Sequence, residues 1–203
     1  MGLFDSRDSS SPLAIDASVT INLSACGMGR EILRVIGRRI IVADVISDEL
    51  KNNPSPGRDD AGQLRSWIEE GLIDEIALAS IDDTVFQGLV AGSAAETLDD
   101  GEAATIALAI AHAAIAVLDE RKAIRICAER HPTVLMGSTA DLLLHPRVLA
   151  EFGESAIGDA IFAALTGARM RVLQDNLAKV LGLLGAERTA LCPSLPRSSR
   201  IRS

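Results

Sequence analysis

Short apolar runs alternate with helical segments along the first 146 residues, and that alternation constrains the fold more than any other feature. The runs are Leu13–Ile15 and residues 39–43, 76–79, 114–118 and 133–136, and each is followed by a stretch with helical spacing. Ser18 reads as the N-cap of a first helix that runs through Ala25 and stops at Gly27. Helical patterns over residues 31–37, 44–51, 61–70 and 82–91 follow, then the Ala-rich segment EAATIALAIAHA and the segments ERKAIRICAER and ADLLLH. Strand followed by helix, repeated, predicts an α/β fold of three layers, α/β/α, with a central parallel sheet. After Pro146 the pattern changes: Ile157, Ile161, Leu165, Val172, Leu173, Leu177, Val180, Leu181 and Leu184 recur at helical spacing. The division this predicts is a disordered lead-in over residues 1–11, an α/β domain over 12–146, a helical C-terminal extension over 147–186 and a flexible basic tail over 187–203.

Acids stand where the strands end. Asp16 closes the run PLAI and opens a helix, Asp119 and Glu120 close AIAVL, and Glu102 lies in the first turn of its helix. Glu49 sits in the helix after the second strand. Strand-end residues of a parallel sheet meet in one cleft although they are far apart in sequence. Carboxylates gathered that way suit a hard divalent cation, and such an ion promotes phosphoryl transfer by activating water and stabilising a leaving oxygen. Asp16 alone would read as a plain helix cap or turn acid, and Asp99 and Asp100 read as turn residues.

Composition removes several function classes. The formal net charge of −8 argues against a broad basic surface for coating a duplex. Tyr is absent and aromatic residues make up 2%, so base-stacking platforms are not expected. Cys26, Cys127 and Cys192 are scattered, with no zinc spacing among them or with His112, His131 and His145. Cys26 and Cys127 read as buried thiols in a reducing, cytoplasmic compartment. From Glu187 onward four Arg face one Glu, which makes the end of the chain basic. Arg121 with Lys122, and Arg30 with Arg38 and Arg39, are the other candidate phosphate contacts.

Five segments in order carry a family resemblance: LAIDASVTINL, IIVADVISDELK, LDDGEAATIALA, VLDERKAIRICAER and VLMGSTADLLL. Together they resemble PIN-domain ribonucleases, in particular the VapC-like toxin branch and its close relatives. The resemblance implies a PIN-like fold and a quartet of acids around Mg²⁺ or Mn²⁺. Asp16 matches the first acid, Glu49 the second and Glu102 the third, where many members have Asp. The fourth falls on Asp119 or Glu120, with Asp119 ending the strand more directly. Ser138 or Thr139 matches the hydroxyl that supports the metal or the substrate. The implied activity is hydrolysis of single-stranded RNA to a 5′-phosphate and a 3′-hydroxyl by a homodimer, which a small antitoxin would cover if the chain is a toxin. The alternative is a catalytically silent PIN scaffold acting as a binding or regulatory module.

Overall fold

In the computed structural model, residues 11–81 and 83–200 are described. All but the last residue of the expected lead-in lies outside them. Five strands form one parallel sheet: β1 Leu13–Ile15, β2 Ile40–Ala43, β3 Asp74–Ile76, β4 Ile115–Val117 and β5 Met136–Gly137. Their order is β3-β2-β1-β4-β5. The chain builds outward from β1 through β2 to β3, then crosses back to add β4 and β5 on the other side. The order therefore reverses between β1 and β4, and a crevice opens beyond their C-terminal ends at such a point. Ile15 pairs with Val117 in the register, so the residues that follow these two strands leave the sheet side by side.

Residues of β1, β2 and β4 are buried throughout, as expected for strands covered on both faces. The covering helices are α1 Ala17–Ala25, α2 Gly29–Ile36, α3 Asp44–Asn52, α4 Asp60–Glu69, α5 Thr84–Val90, α6 Asp100–Ala111, α7 Arg121–Arg130 and α8 Thr139–Leu143. α6 is the most enclosed, with Gly101 to Ala109 buried in succession against β1, β2 and β4. Its many alanines let it lie close to the sheet at little cost in side-chain entropy. Trp67 on α4 is buried and fits against Gly29. A Cβ at position 29 would stand 2.7 Å from the indole, so only glycine suits that crossing.

Beyond the sheet lie α9 Pro146–Gly167, α10 Gln174–Ala190 and the short α11 Arg197–Arg200. α9 packs on α1, α2 and α8, with its Ile157, Ile161 and Leu165 buried, and α10 packs on α9. At Gly158 a Cβ would be 3.2 Å from the Leu183 carbonyl, so the absent side chain sets how near the two helices come.

Several expectations are corrected. Asp16, rather than Ser18, caps α1: its carboxylate accepts from the Val19 N–H at 2.9 Å, and the Ser18 hydroxyl donates to the same oxygen at 2.8 Å. The third strand comes earlier than its apolar residues suggested. It is an edge strand whose Asp74 and Glu75 face solvent, so it lacks the buried-strand signature. The fifth strand is Met136–Gly137 rather than 133–136. Val172 and Leu173 belong to no helix; they lie in a connector, residues 168–173, between α9 and α10. The stretch from Glu187 is not a loose tail where it is described. Residues 187–190 continue α10, Cys192 and Leu195 are buried, and Arg188 pairs with Asp159 at 2.5 Å and lies over the Phe162 ring.

Candidate acid cleft

A cleft of about 530 Å³ opens beyond the C-terminal ends of β1 and β4. Asp16, Glu49, Asp99, Glu102, Asp119 and Glu120 all line it. The fold thus brings together every acid singled out in the sequence and adds Asp99.

Asp16 is 4% exposed and Asp119 3% exposed, each held where a central strand stops. In Asp16 one oxygen, Oδ1, takes both local donors, and among the described residues none reaches Oδ2. Asp119 is held more fully. Its Oδ1 accepts the Thr139 N–H at 2.9 Å, and its Oδ2 accepts the Thr139 hydroxyl and the Asn22 amide, the latter at 2.8 Å. Asn22 also donates to the Thr139 hydroxyl at 3.3 Å. Of Ser138 and Thr139, it is therefore Thr139 whose hydroxyl touches an acid of the cleft. Ser138 does other work: it caps α8 in a reciprocal box with Asp141, and Asn176 of α10 donates to Asp141 at 2.9 Å.

Glu102 stands in the first turn of α6, where Asp99 caps the helix by accepting from the Glu102 N–H. Glu49 approaches from α3 over Gly101. A Cβ at 101 would lie 2.5 Å from Glu49 Oε2, so the glycine leaves the room that Glu49 occupies. Glu120 points to the rim and pairs with Arg171 across half-exposed surface.

Burial pushes Asp16 up to about 8, and the nearby charge of Asp119 adds to it. Glu102 is pushed up to about 7 by burial and then by Asp99. Burial also raises Glu49, with Asp99 and Asp100 contributing. Asp119 is raised by burial despite the Thr139 and Asn22 donors that oppose the shift. Four raised carboxylates in one cleft are a group that favours added positive charge. Asp16, Glu102 and Asp119 form no salt bridge among the described residues. Among those residues, too, no three His, Cys, Asp or Glu side chains converge tightly enough to chelate an ion unaided. An open cleft with two buried strand-end oxygen donors suits a cation that keeps several of its own waters, which is the habit of Mg²⁺.

Sequence reasoning missed Asn22, Asp99, Arg169, Arg171 and Ser194 as cleft residues. The other candidate cations are occupied elsewhere: Arg30 pairs with Glu70, Arg39 with Asp74, and Lys122 donates to the Ala94 carbonyl. Neither they nor Arg38 and Arg121 line the cleft. Cys26 and Cys127 are free buried thiols, as anticipated, and so is Cys192.

A parallel α/β sheet with carboxylates gathered at its switch point defines a class of proteins suited to phosphoryl chemistry. Within that class, the family model DUF3368, described as a PIN domain, matches residues 12–186, and the chain belongs to the PIN-domain family. The match takes in α9 and most of α10 as well as the sheet. No curated protein and no solved structure matches the chain. PIN domains are in general nucleases, that is, hydrolases acting on nucleic acid, and divalent metals are typical of them. Among the described residues, no helix is long and apolar enough to cross a membrane.

Proposed function

We propose that this chain is a divalent-metal-dependent endoribonuclease that hydrolyses single-stranded RNA in the acid cleft. The observation that carries the reading is the set of buried carboxylates at the switch point, with Asp16 and Asp119 leaving adjacent strands and both raised by burial. Asp16, Glu102 and Asp119 would hold Mg²⁺ or Mn²⁺, with Glu49 completing the ligand set or orienting the attacking water. Bound there, the ion supplies positive charge to the water and to the leaving oxygen.

The protein's own groups divide the remaining work. Asn22 and Thr139 fix the Asp119 carboxylate by three donors, so that it does not rotate away from the cleft. The α1 cap fixes Asp16 through Oδ1 and leaves Oδ2 free of local donors. Gly101 leaves Glu49 its path of approach. Glu120 remains the second candidate for the fourth acid, and its pairing with Arg171 supports a role at the rim. Ser138 supports the site through α8, whose first residue is Thr139.

The family's VapC-like branch makes a toxin role the natural biological setting, with a small antitoxin, a homodimeric assembly and a cytoplasmic location. The division into an α/β nuclease domain and a helical C-terminal segment belongs to the same proposal. The second reading, a silent PIN scaffold, is favoured by the lack of a ready-made chelate among the described residues. Cleavage of single-stranded RNA by the purified chain with Mn²⁺ tests the two. Activity lost in Asp16→Asn supports the nuclease. Activity unchanged in that variant sinks the mechanism.

A further inference from the structure

The lining of the cleft is not only acidic. Arg169 and Arg171, from the connector between α9 and α10, reach it, and so does Ser194 from the turn after α10. The geometry points to a backbone-phosphate site formed by Arg169, Arg171 and Ser194, which holds the nucleic-acid strand against the acid cleft. This inference rests on the nuclease reading and deepens it by assigning the residues that bind the substrate.

The connector is built to present its arginines. Its residues alternate, with Met170 1% and Val172 8% exposed while Arg169 and Arg171 are exposed. The two buried apolar residues anchor the segment, and the two guanidinium groups are left exposed beside the cleft. The Met170 N–H bonds the Ala164 carbonyl at 3.2 Å, which ties the segment to the end of α9. Arg169 takes a left-handed φ of 56°, an uncommon conformation for a residue with a side chain.

The side chains are available to a ligand. Among the described residues Arg169 makes no ion pair and no side-chain hydrogen bond. Among the described residues Arg171 is held by Glu120 alone, across a partly exposed pair of the kind that contributes little and exchanges readily. The Ser194 hydroxyl is buried in the cleft wall and, among the described residues, has no hydrogen-bond partner, so a donor is left over there. Two planar guanidinium forks and a hydroxyl are suited to phosphate oxygens. A polyanion also needs them. Six carboxylates line the cleft, and Arg169 and Arg171 are the basic residues lining it.

The test is steady-state cleavage of a short single-stranded RNA by the full chain with Mn²⁺ over a range of KCl concentrations. The variants are Arg169→Gln, Arg171→Gln, the double variant and Ser194→Ala. In the double variant, KM should rise about tenfold or more while kcat stays within about twofold, and the salt slope should flatten by roughly 1.4, about 0.7 for each phosphate no longer neutralised. Arg169→Lys with Arg171→Lys should restore most of the slope. The Mn²⁺-induced rise in melting temperature, unchanged in the double variant, checks that the acids remain in place. Arg169→Gln alone, at an exposed side chain, keeps the test valid should the double variant fold poorly. Cleavage by the parent chain with unaltered KM and salt slope in the variants overturns the phosphate site and leaves the nuclease reading standing. A fall in kcat at constant KM overturns it too, since that would place the arginines' effect at the acids. A parent chain that neither binds nor cuts RNA overturns both.

Discussion

Asp16 and Asp119 lie almost without exposure at the ends of central strands, held by fixed donors, whereas Arg169 and Arg171 stand exposed on the connector between α9 and α10. The first pair is buried, where a charge is costly unless another charge offsets it. The second pair sits in water, where a charge costs little and exchanges partners. The comparison separates two tasks within one cleft. Groups that must keep their geometry are supplied by the sheet. Groups that must grip and release a passing strand are supplied by the segment that joins the last two long helices.

The largest effect should come from Asp16→Asn. Asn caps a helix about as well as Asp, so the variant removes the charge and keeps α1. Loss of a ligand should lower Mn²⁺-dependent cleavage by more than the ~10–100-fold usual for residues that only support ligands. The same variant should raise the melting temperature of the metal-free protein at pH 8, by at least the ~2–4 °C that 1 kcal/mol gives in a chain of this size. A destabilised Asp16→Asn would show that the acid serves the fold and not the site.

Next comes the support of Asp119. Asn22→Leu and Thr139→Val each remove a donor to its carboxylate. Each should weaken Mn²⁺ affinity by about 10–100-fold. Loss of a donor raises the Asp119 pKa further, so the pH at which metal binds should move upward. Calorimetric titration at several pH values reads both effects, and an unmoved pH profile would contradict the assigned role.

Gly101→Ala should have a smaller and more selective consequence. The added Cβ would meet Glu49 Oε2 at 2.5 Å, and the flexible end of that side chain can turn away. Alanine improves helix propensity by up to about 1 kcal/mol, so thermal stability should hold or rise while cleavage falls. Equal activity would remove Glu49 from the account. Smallest is Glu120→Gln, which frees Arg171 from its pair. RNA binding should tighten about twofold to threefold, with Mn²⁺ affinity unchanged, as a surface pair is worth about 0–1 kcal/mol. A large loss of Mn²⁺ affinity would make Glu120 a ligand in its own right.

The strand-end acids were legible in the sequence because their positions follow from periodicity: a buried run ends, a helix begins, and the acid lies between. Glu102 was legible because α6 begins at a clear turn. The supports were harder to see. Asn22 reaches Asp119 across ninety-seven positions, and such a partner leaves no local trace. Its one signal was a polar residue of poor helix propensity lodged between Ile21 and Leu23 in a helix interior. Asp99 looked like a turn residue, and it is a cap that also faces the cleft. The connector was hidden because Val172 and Leu173 happen to continue the spacing of α9. Val172 is buried in a non-helical connector where burial alternates with exposure, and so short an alternation is easily taken for part of a helical stripe.

The central claim is that the buried acids form a cation site, and melting the protein with and without Mn²⁺ across pH tests it most directly. Asp16 is raised from 3.8 to about 8 and Glu102 from 4.5 to about 7. A carboxyl with a raised folded-state pKa favours the folded protein at low pH, and that contribution fades as pH climbs from the unfolded value through the folded one. The metal-free protein should therefore lose stability between about pH 4 and pH 8. Mn²⁺ should restore it, by an amount that grows over the same range as protons cease to compete for the carboxylates. Asp16→Asn should abolish most of that gain. A melting temperature indifferent to Mn²⁺ at pH 8, or a gain of the same size in Asp16→Asn, would contradict the account and leave the silent scaffold in its place.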